Sequence, residues 1–324
     1  MLKSVVERDE FMSDNFLWVD KYKPTTIDEC VLPSTLKKQF AEIKEMPNAL
    51  FVGDAGVGKT TVAKVLCDTL NTDMLFMNAS TERGIDDVRN KIDSFASTTS
   101  LMGGYKVLLL DEADNLTQDA QKALRALIEQ YQNNCRFVLT CNYPYKLIDP
   151  LRSRLQEYCF SYPSDDKSIQ NLFIKRLLEI LSKEAVDLKK EDIPVLQSLV
   201  RMYYPNWRRC IHELQRITTS GRIDSSLVTQ LESNHISTLF ELMKAKNFSK
   251  VREWIAENLA SGVSPSEIIE NIYRGIKDHI TLQSYMQVVL LCAQYQHYAV
   301  SVSDQEINTV ALAVEIMMGA EWQS

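Results

Sequence analysis

An apolar run that passes through a glycine-rich loop into a helical segment constrains the fold of this chain more than any other feature. The run ALFVG at 49–53 leads into GDAGVGKT at 53–60, and the helical segment TVAKVLCDTL follows at 61–70. The loop matches G-x-x-x-x-G-K-[ST] in the strand–loop–helix setting that this motif requires. Its glycines let backbone N–H groups surround a phosphate, and the helix N-terminus adds a positive dipole. The pattern predicts a nucleoside triphosphate site on a parallel α/β sheet.

Two side chains of this loop have expected tasks in ATP binding. Lys59 is expected to bridge the β- and γ-phosphates, and Thr60 is expected to bind Mg²⁺. ATP would be the substrate and Mg²⁺ its cofactor. The predicted nucleotide-binding residues of the loop are Asp54, Ala55, Gly56, Val57, Gly58, Lys59, Thr60 and Thr61.

A second motif lies further along the chain, where the apolar run VLLL at 107–110 ends in Asp111 and Glu112. In open α/β sheets, ligands bind at the edge formed by the carboxyl ends of the strands. We expect Asp111 to hold Mg²⁺, and Glu112 to orient and polarise the attacking water. An apolar run that ends in two acids is weak by itself, but beside a phosphate loop it predicts ATP hydrolysis.

Short apolar runs alternate with helical segments up to residue 162. The runs are ALFVG (49–53), MLFMNA (74–79), KVLLLD (106–111), CRFVLTC (135–141) and EYCFSY (157–162). Runs that are apolar on both faces are typical of a parallel sheet covered by helices. We predict a three-layer α/β domain at residues 15–162, with a parallel five-stranded sheet between helices, preceded by a flexible arm at residues 1–14.

The chain beyond residue 162 has a helical pattern. Segment 166–184 places on one face Ile169, Leu172, Phe173, Leu177, Ile180 and Leu181. A serine followed three residues later by a glutamate marks two later helix starts, at Ser264 and Ser303. The second of these helices places on one face Ile307, Val310, Val314 and Met317. These patterns predict an all-helical domain at residues 163–230 and a second all-helical domain at residues 231–324.

Composition limits the partners and the compartment. The net charge of −7 opposes general affinity for a polyanion, so any contact with DNA needs a local basic patch. The sequence has no uninterrupted apolar window of about 18 residues, so no membrane partner is expected and the cytoplasm is the predicted location, that of the host if the chain is viral. The 7 cysteines form no C-x-x-C pair and the 4 histidines lack metal-ligand spacing, which indicates free thiols and no zinc site.

Residues 111–114 spell DEAD, which raises RNA helicases as an alternative class. Those enzymes need a second α/β domain with its own arginine-rich motif. The remainder of this chain is helical in pattern and has no H-R-x-G-R or S-A-T run. We therefore set the helicase class aside.

Three further boxes lie in order along the chain. WVDKYKP at 18–24 resembles W-x-E-K-Y-R-P, NASTERGIDDVR at 78–89 resembles N-A-S-D-x-R-G-I-D-x-V-R, and QKALR at 121–125 resembles Q-x-A-L-R. With the two motifs above, they make the chain resemble the small ATPase subunits of the replication factor C type of sliding-clamp loader. The resemblance covers nearly the whole chain and is strongest toward the ATPase subunit of T4-type bacteriophage loaders. It implies an AAA+ domain, a helical lid and a helical collar for the three predicted domains.

The resemblance also implies further site residues. Tyr22 and Pro24 would lie over the adenine, and Asn142 resembles sensor 1, a polar group that helps to hold the attacking water. Arg154 lies in SRL at 153–155, which resembles S-R-C with leucine in place of cysteine; this arginine would reach into the neighbouring subunit's site. Arg208 would be the sensor 2 arginine of the lid, although PNWR at 205–208 departs from G-D-x-R at two positions.

Basic residues surround the start of the helix that is predicted near Ile85. Arg83 and Arg89 flank this helix N-terminus, which suits a DNA phosphate, and Lys122 adds to the patch. We predict that these three basic residues and Ile85 contact DNA. The alternative for the basic residues is ordinary solvated surface charge.

The same region contains a predicted switch. Asn78 ends the second predicted strand, and Arg83 follows closely. Either residue is expected to hydrogen-bond Glu112 and to hold it away from the attacking water. A DNA phosphate that competes for Arg83 would then release Glu112 for catalysis.

The resemblance implies a subunit that uses ATP to open a sliding clamp and load it onto primer–template DNA, with release on hydrolysis. Its partners would be the clamp, the DNA, other copies of the chain and at least one different loader subunit, with clamp contact near Ile128 and Tyr131. Three alternatives stay open: the equivalent subunit of a cellular loader, a non-hydrolysing scaffold member of the ring, and another DNA-acting AAA+ ATPase such as a helicase loader. Against the scaffold role stand the intact Lys59, Glu112 and Arg154.

Overall fold

A computed structural model describes residues 16–81, 85–100, 103–163, 166–189, 192–218, 221–223, 236–260, 263–299 and 301–323, with only the backbone described at 85–88. The chain divides into two compact units, residues 1–223 and residues 224–324. The predicted arm at residues 1–14 lies outside the described residues. So does the predicted boundary at residue 230, and the domain limits stay a prediction.

The first unit contains one sheet of five parallel strands, which confirms the predicted fold class. The strands are β1 (Ala49–Gly53), β2 (Met74–Asn78), β3 (Lys106–Asp111), β4 (Cys135–Cys141) and β5 (Gln156–Phe160). Their order across the sheet is β2-β3-β4-β1-β5. The central strands β3 and β4 are buried along nearly their whole length. The parallel directions bring the carboxyl ends of all five strands to one edge, where ligands bind in such sheets.

Helices cover the sheet and connect its strands. They are α1 (Trp18–Lys21), α2 (Ser34–Glu42), α3 (Lys59–Thr69), α4 (Ile85–Ala96), α5 (Gln118–Gln130) and α6 (Asp149–Arg152). A short 3₁₀ helix at Ala113–Asn115 follows β3, and a second at Pro144–Lys146 follows β4. One core cluster joins β3 and β4 to the apolar face of α5, which includes Leu124, Leu127 and Ile128. Helix α5 is therefore fixed to the strands that end at the predicted site.

The described part of the first unit has three further helices: α7 (Lys167–Lys183), α8 (Asp192–Tyr203) and α9 (Trp207–Ile217). The predicted apolar face of α7 is buried, with one exception. The side chain of Leu172 is 47% exposed, so its predicted place on the buried face is wrong. Leu172 lies roughly 100° around the helix from Phe173, which places it beyond the buried stripe.

The second unit is helical. It contains α10 (Ile236–Lys244), α11 (Phe248–Ala260), α12 (Pro265–Gly275), α13 (Leu282–Tyr298) and α14 (Gln305–Gly319), with a 3₁₀ turn at Ile276–Asp278. The hydroxyl of Ser264 accepts the N–H of Glu267, which confirms the predicted cap of α12.

Helix α14 differs from its prediction in start and in face. Its N-cap is Asp304 rather than Ser303, and Ile307 is 66% exposed instead of buried. The buried face includes the polar residues Asn308 and Thr309, which hydrogen-bond the backbone oxygens of Tyr295 and Gln305. An apolar pattern misses such a face because satisfied polar side chains form part of it.

None of the helices in the described ranges combines the length and the apolar character needed to cross a membrane.

Candidate active site

The phosphate loop connects β1 to α3 in the conformation that its glycines permit. Gly56 and Gly58 have φ angles of +79° and +96°, a region that residues with a side chain rarely adopt. Gly56 also lies against the start of α9. A Cβ atom at Gly56 would stand 2.0 Å from Oδ1 of Asn206, and the carbonyl of Gly56 accepts the N–H of Trp207 at 3.1 Å. The loop and α9, which lies in the segment predicted as the lid, therefore fit together only because residue 56 is glycine.

Lys59 lies at the first position of α3 and is nearly fully buried. Its ammonium group donates to the carbonyls of Gly53 at 2.8 Å and Asp54 at 2.7 Å, and to Oδ1 of Asn142 at 2.9 Å. Burial lowers the pKa of Lys59 below its ordinary value. The structure thus brings the predicted phosphate-binding lysine and the predicted sensor 1 residue into direct contact.

Thr60 and Asp111 also meet, as expected for residues that share a metal ion. The hydroxyl of Thr60 donates to Oδ1 of Asp111 at 2.5 Å. The same carboxylate oxygen accepts the hydroxyl of Thr140 at 2.6 Å. Thr140 lies next to the end of β4 and is buried. Asp111 is therefore held in place by strands and helix on both sides.

Glu112 follows β3 in a left-handed conformation, with φ of +55°. Its N–H donates to Oγ1 of Thr140 at 3.0 Å, so the turn beyond the strand is tied to β4. Its carboxylate accepts hydrogen bonds from the hydroxyl of Ser80 and, at 3.4 Å, from the amide of Asn115. Asn115 also donates to the Ser80 hydroxyl at 2.9 Å. The described contacts of the Glu112 carboxylate are thus with Ser80 and Asn115.

The predicted switch residues lie beside this contact. Oδ1 of Asn78 accepts the N–H of Ser80 at 2.7 Å, so Asn78 orders the residue that bonds Glu112. Arg83 lies outside the described residues, and so does the side chain of Ile85. The role of either residue as a switch stays a prediction.

Asp114 positions the loop that follows β4. Its carboxylate, nearly fully buried, accepts the backbone N–H of Asn142 at 3.4 Å and of Tyr143 at 3.2 Å. It thereby fixes the backbone from which the side chain of Asn142 reaches Lys59. Asp114, the last acid of the DEAD run, therefore has a structural role in the loop that follows β4.

A cleft beside the phosphate loop is lined by both predicted adenine-side residues and by Arg208. Its lining includes Tyr22, Pro24, Val31, Phe173, Arg176, Trp207, Arg208 and Ile211. The segment with Tyr22 is hydrogen-bonded to α7 and its C-cap: the Tyr22 hydroxyl donates to Glu184 at 2.5 Å, and the Tyr22 carbonyl accepts Arg176 at 3.3 Å. The cleft thus lies between the phosphate loop, the N-terminal segment and the lid.

Arg154 lies apart from these groups, on the turn between α6 and β5, and its side chain is 33% exposed. Its Nε donates to Glu129 at 2.6 Å, and its Nη1 donates to the carbonyl of Pro150 at 2.6 Å. The structure therefore does not bring Arg154 to its own chain's phosphate loop.

Arg89 and Lys122 lie on the surfaces of α4 and α5. Arg89 pairs with Asp93 at 3.7 Å, and Lys122 pairs with Asp119 at 2.9 Å, each within its own helix. Tyr131 also donates to Asp93 at 2.9 Å, whereas Ile128 is buried in the core. Arg89 and Lys122 thus form exposed ion pairs within their own helices, and their contact with DNA stays a prediction.

Sequence reasoning did not assign four polar residues of this site: Ser80, Asp114, Asn115 and Thr140. Their places follow from the alignment of strand ends, because Asn78 of β2 is in register with Asp111 of β3. Ser80 and Asp114 lay within the motifs named above, so their polar side chains next to predicted strand ends were a usable signal.

Comparisons with known proteins agree with this geometry. A family profile for the ATPase family associated with various cellular activities matches residues 49–161, and a profile for the AAA+ ATPase lid domain of the sliding-clamp-loader large subunit matches residues 165–229. The replication factor C small subunit of Sulfurisphaera tokodaii is 33% identical, over 96% of this chain and 98% of that protein. The sliding-clamp-loader large subunit of Enterobacteria phage T4 is 31% identical, over 94% and 96%.

A solved structure of a RuvB variant from Thermotoga maritima shares the fold. Its TM-score is 0.53 at 20% identity, and the match covers 64% of this chain and 72% of that one. The likeness supports the AAA+ architecture alone. The two relatives and the lid profile confirm the predicted resemblance, and the chain belongs to the replication factor C family of clamp-loader AAA+ ATPase subunits.

Proposed function

We propose that this chain hydrolyses ATP at the edge formed by the carboxyl ends of β1, β3 and β4. The observation that carries the proposal is the meeting of Lys59, Thr60, Asp111 and Glu112 at this edge. Lys59 would neutralise the β- and γ-phosphates, with the loop residues from Asp54 to Thr61 around them. Glu112 would orient and polarise the attacking water.

Mg²⁺ fits the donor set of this edge. Thr60 and Asp111 present two oxygen ligands in contact with each other. Mg²⁺ binds through one or two protein oxygens, substrate phosphates and retained waters. The described residues contain no cluster of three or more His, Cys, Asp or Glu placed to hold a metal ion, which leaves the Thr60–Asp111 pair as the proposed site. Bound there, Mg²⁺ would supply positive charge at the β- and γ-phosphates.

Asn142 would act as sensor 1 because it touches Lys59 directly. Tyr22 and Pro24 would contact the adenine, and Arg208 would reach the phosphates from the lid. The support is that all three residues line the same cleft as the phosphate loop. The lid would move together with the phosphate loop when the nucleotide binds, because Trp207, next to Arg208, is hydrogen-bonded to Gly56.

Arg154 would complete the active site of a neighbouring copy. It is partly exposed on a turn and has no contact with its own phosphate loop among the described residues. An arginine supplied by a neighbour stabilises the charge of the transition state and contributes about 10³ to 10⁵ in rate. Each ATP site would then lie at a subunit interface.

The partners that we propose are the sliding clamp, primer–template DNA, other copies of the chain and at least one different loader subunit. Arg83, Ile85, Arg89 and Lys122 would contact the DNA. Ile128 and Tyr131 mark the end of α5 that would face the clamp. The support is the similarity over nearly whole chains to named replication factor C and clamp-loader subunits.

Steady-state ATP turnover of the assembled complex tests this function. We expect slow turnover alone and faster turnover with primer–template DNA and the clamp of the same replication system. Unprimed duplex DNA of equal length serves as the control. If neither the clamp nor primed DNA changes the turnover rate, the chain would instead be another DNA-acting ATPase.

A further inference from the structure

Glu129, in the last turn of α5, binds the side chain of Arg154 through two of its nitrogen atoms. Oε1 of Glu129 accepts Nε of Arg154 at 2.6 Å and also pairs with Nη2 of the same side chain. The carbonyl of Pro150 accepts Nη1 at 2.6 Å, and the hydroxyl of Ser153 accepts the same nitrogen at 3.4 Å. One edge of the guanidinium group is thus held by a carboxylate and one terminal nitrogen by the backbone.

These described contacts use four of the five N–H groups and leave one N–H of Nη2. A guanidinium has five N–H groups in a rigid planar fork, and each terminal nitrogen carries two of them. Glu129 occupies the edge formed by Nε and one N–H of Nη2. The second N–H of Nη2 points away from that edge, whereas Nη1 donates to Pro150 and Ser153. A planar fork held on this edge is oriented, and its remaining N–H suits an oxygen of a phosphate.

Helix α5 can act as a rigid support for this turn. The amide of Gln121, buried in α5, donates to the carbonyls of Leu116 and Lys146, and its oxygen accepts the N–H of Ile148 at 2.8 Å. Ile148 immediately precedes α6, which leads to Arg154. The turn is therefore fastened to α5 near its start through Gln121 and at its end through Glu129.

We propose that Glu129 is a positioning residue for Arg154: it fixes the guanidinium plane so that the remaining N–H of Nη2 meets the phosphate in a neighbouring copy. This inference rests on the proposed function of Arg154 as an arginine supplied in trans. The described contacts of the Glu129 carboxylate are with Arg154, so its effect passes through Arg154.

An ordinary surface ion pair is the alternative. Exposed pairs contribute little to stability and often nothing measurable. The chain contains a suitable reference, because Arg152 donates to Glu157 at 3.0 Å on the neighbouring turn, with similar exposure of both side chains. If pairing alone mattered, the loss of either carboxylate would have the same small effect.

The test compares Glu129→Gln with the control Glu157→Gln in the fully assembled complex, with primed DNA and clamp at saturation. We expect Glu129→Gln to lower kcat about ten- to hundredfold, because a displacement of about 1 Å in a reacting group can cost that much. KM for ATP should stay within about twofold of wild type, and Tm should stay unchanged. Glu157→Gln should leave kcat, KM and Tm unchanged. A kcat for Glu129→Gln that equals or exceeds wild type would overturn the proposal.

A double variant separates this inference from the function on which it rests. With Arg154→Ala present, adding Glu129→Gln should lower kcat no further, since the residue to be positioned is gone. A further tenfold loss in the double variant would show that Glu129 acts elsewhere and would overturn the positioning role. If Arg154→Ala itself retains full kcat, Arg154 does not act in the neighbouring copy's site, and the proposed function of Arg154 is wrong. If Arg154→Ala abolishes turnover but Glu129→Gln does not, the positioning role alone fails.

Discussion

The hydroxyl of Ser80 donates a hydrogen bond to the carboxylate of Glu112, which links the end of β2 to the end of β3. The bond is made to a charged acceptor, and such bonds contribute about 1.5–3 kcal/mol. It occupies the carboxylate that we propose as the group that polarises water. Ser80 is in turn ordered by Asn78, which accepts its N–H.

Ser80→Ala should therefore raise the rate of ATP turnover without DNA, by roughly tenfold, which corresponds to the lower end of that bond's contribution. The maximal rate with primed DNA and clamp should change little. Turnover assays at fixed ionic strength measure both rates. Ser301→Ala, which removes an exposed hydroxyl bonded to a backbone carbonyl, is the control. A lower basal rate in Ser80→Ala would mean that Ser80 holds Glu112 in its working position.

Gly56→Ala should weaken ATP binding by displacing the start of α9. The new Cβ would lie 2.0 Å from Oδ1 of Asn206, at a φ angle of +79°. We expect a KM for ATP at least about tenfold higher and a lower Tm, since unfavourable φ alone costs about 1–3 kcal/mol. Gly103→Ala is the matched control, because Gly103 has the same φ angle but a Cβ added there would meet no atom within 4 Å. Equal effects of both variants would show that backbone strain, not the contact with Asn206, limits residue 56.

Arg154→Ala should leave ATP binding nearly intact and lower turnover by at least about 10³-fold. The defect should lie in the neighbouring copy's site. Mixed complexes test this point: Arg154→Ala chains combined with Glu112→Gln chains form some interfaces in which both residues are wild type. Partial recovery of turnover in the mixed complexes is expected. If complexes that mass measurement shows to be mixed recover nothing, Arg154 does not act in trans.

Arg83→Ala should raise the basal rate, reduce the stimulation by primed DNA and weaken DNA binding in a salt-dependent way. The reason is the proposed exchange of Arg83 between Glu112 and a DNA phosphate. The measurement is the pair of rates with and without saturating primed DNA. Lys122→Ala is a useful comparison, because Lys122 pairs with Asp119 on the surface of α5 and belongs to the same predicted patch. An unchanged basal rate with full stimulation at saturating DNA would reduce Arg83 to a simple phosphate contact.

Contiguous motifs made most of the fold predictable from sequence, together with the meeting of Lys59, Thr60, Asp111 and Glu112 at one edge. The phosphate loop and the Asp111–Glu112 pair are local patterns, and parallel strand direction brings them to one edge. The contacts of Ser80 and Thr140 were not predictable in this way, because they depend on which strands are neighbours and on their register. Likewise, the apolar pattern of α14 misplaced Ile307, because Asn308 and Thr309 are buried with their hydrogen bonds satisfied.

The turn between α6 and β5, which contains Arg154, shows a second limit of prediction from sequence. The resemblance to S-R-C singled out Arg154, but Glu129 lies 25 residues earlier in the sequence and belongs to none of the motifs. A helix that passes beneath the turn brings the two side chains together. Only tertiary structure shows such a pair, and only a comparison with Arg152–Glu157 separates its role from that of a surface ion pair.

Glu112, in an ATP site built by Lys59, Thr60 and Asp111, is tested most directly as the residue that activates water by the variant Glu112→Gln. Single-turnover hydrolysis by Glu112→Gln is measured in the assembled complex with primed DNA and clamp, alongside its affinity for ATP. Since metal and phosphate contacts remain, we predict near-wild-type ATP affinity and a hydrolysis rate that is lower by about 10² to 10⁴. Wild-type hydrolysis by Glu112→Gln would contradict the claim and remove Glu112 from the mechanism.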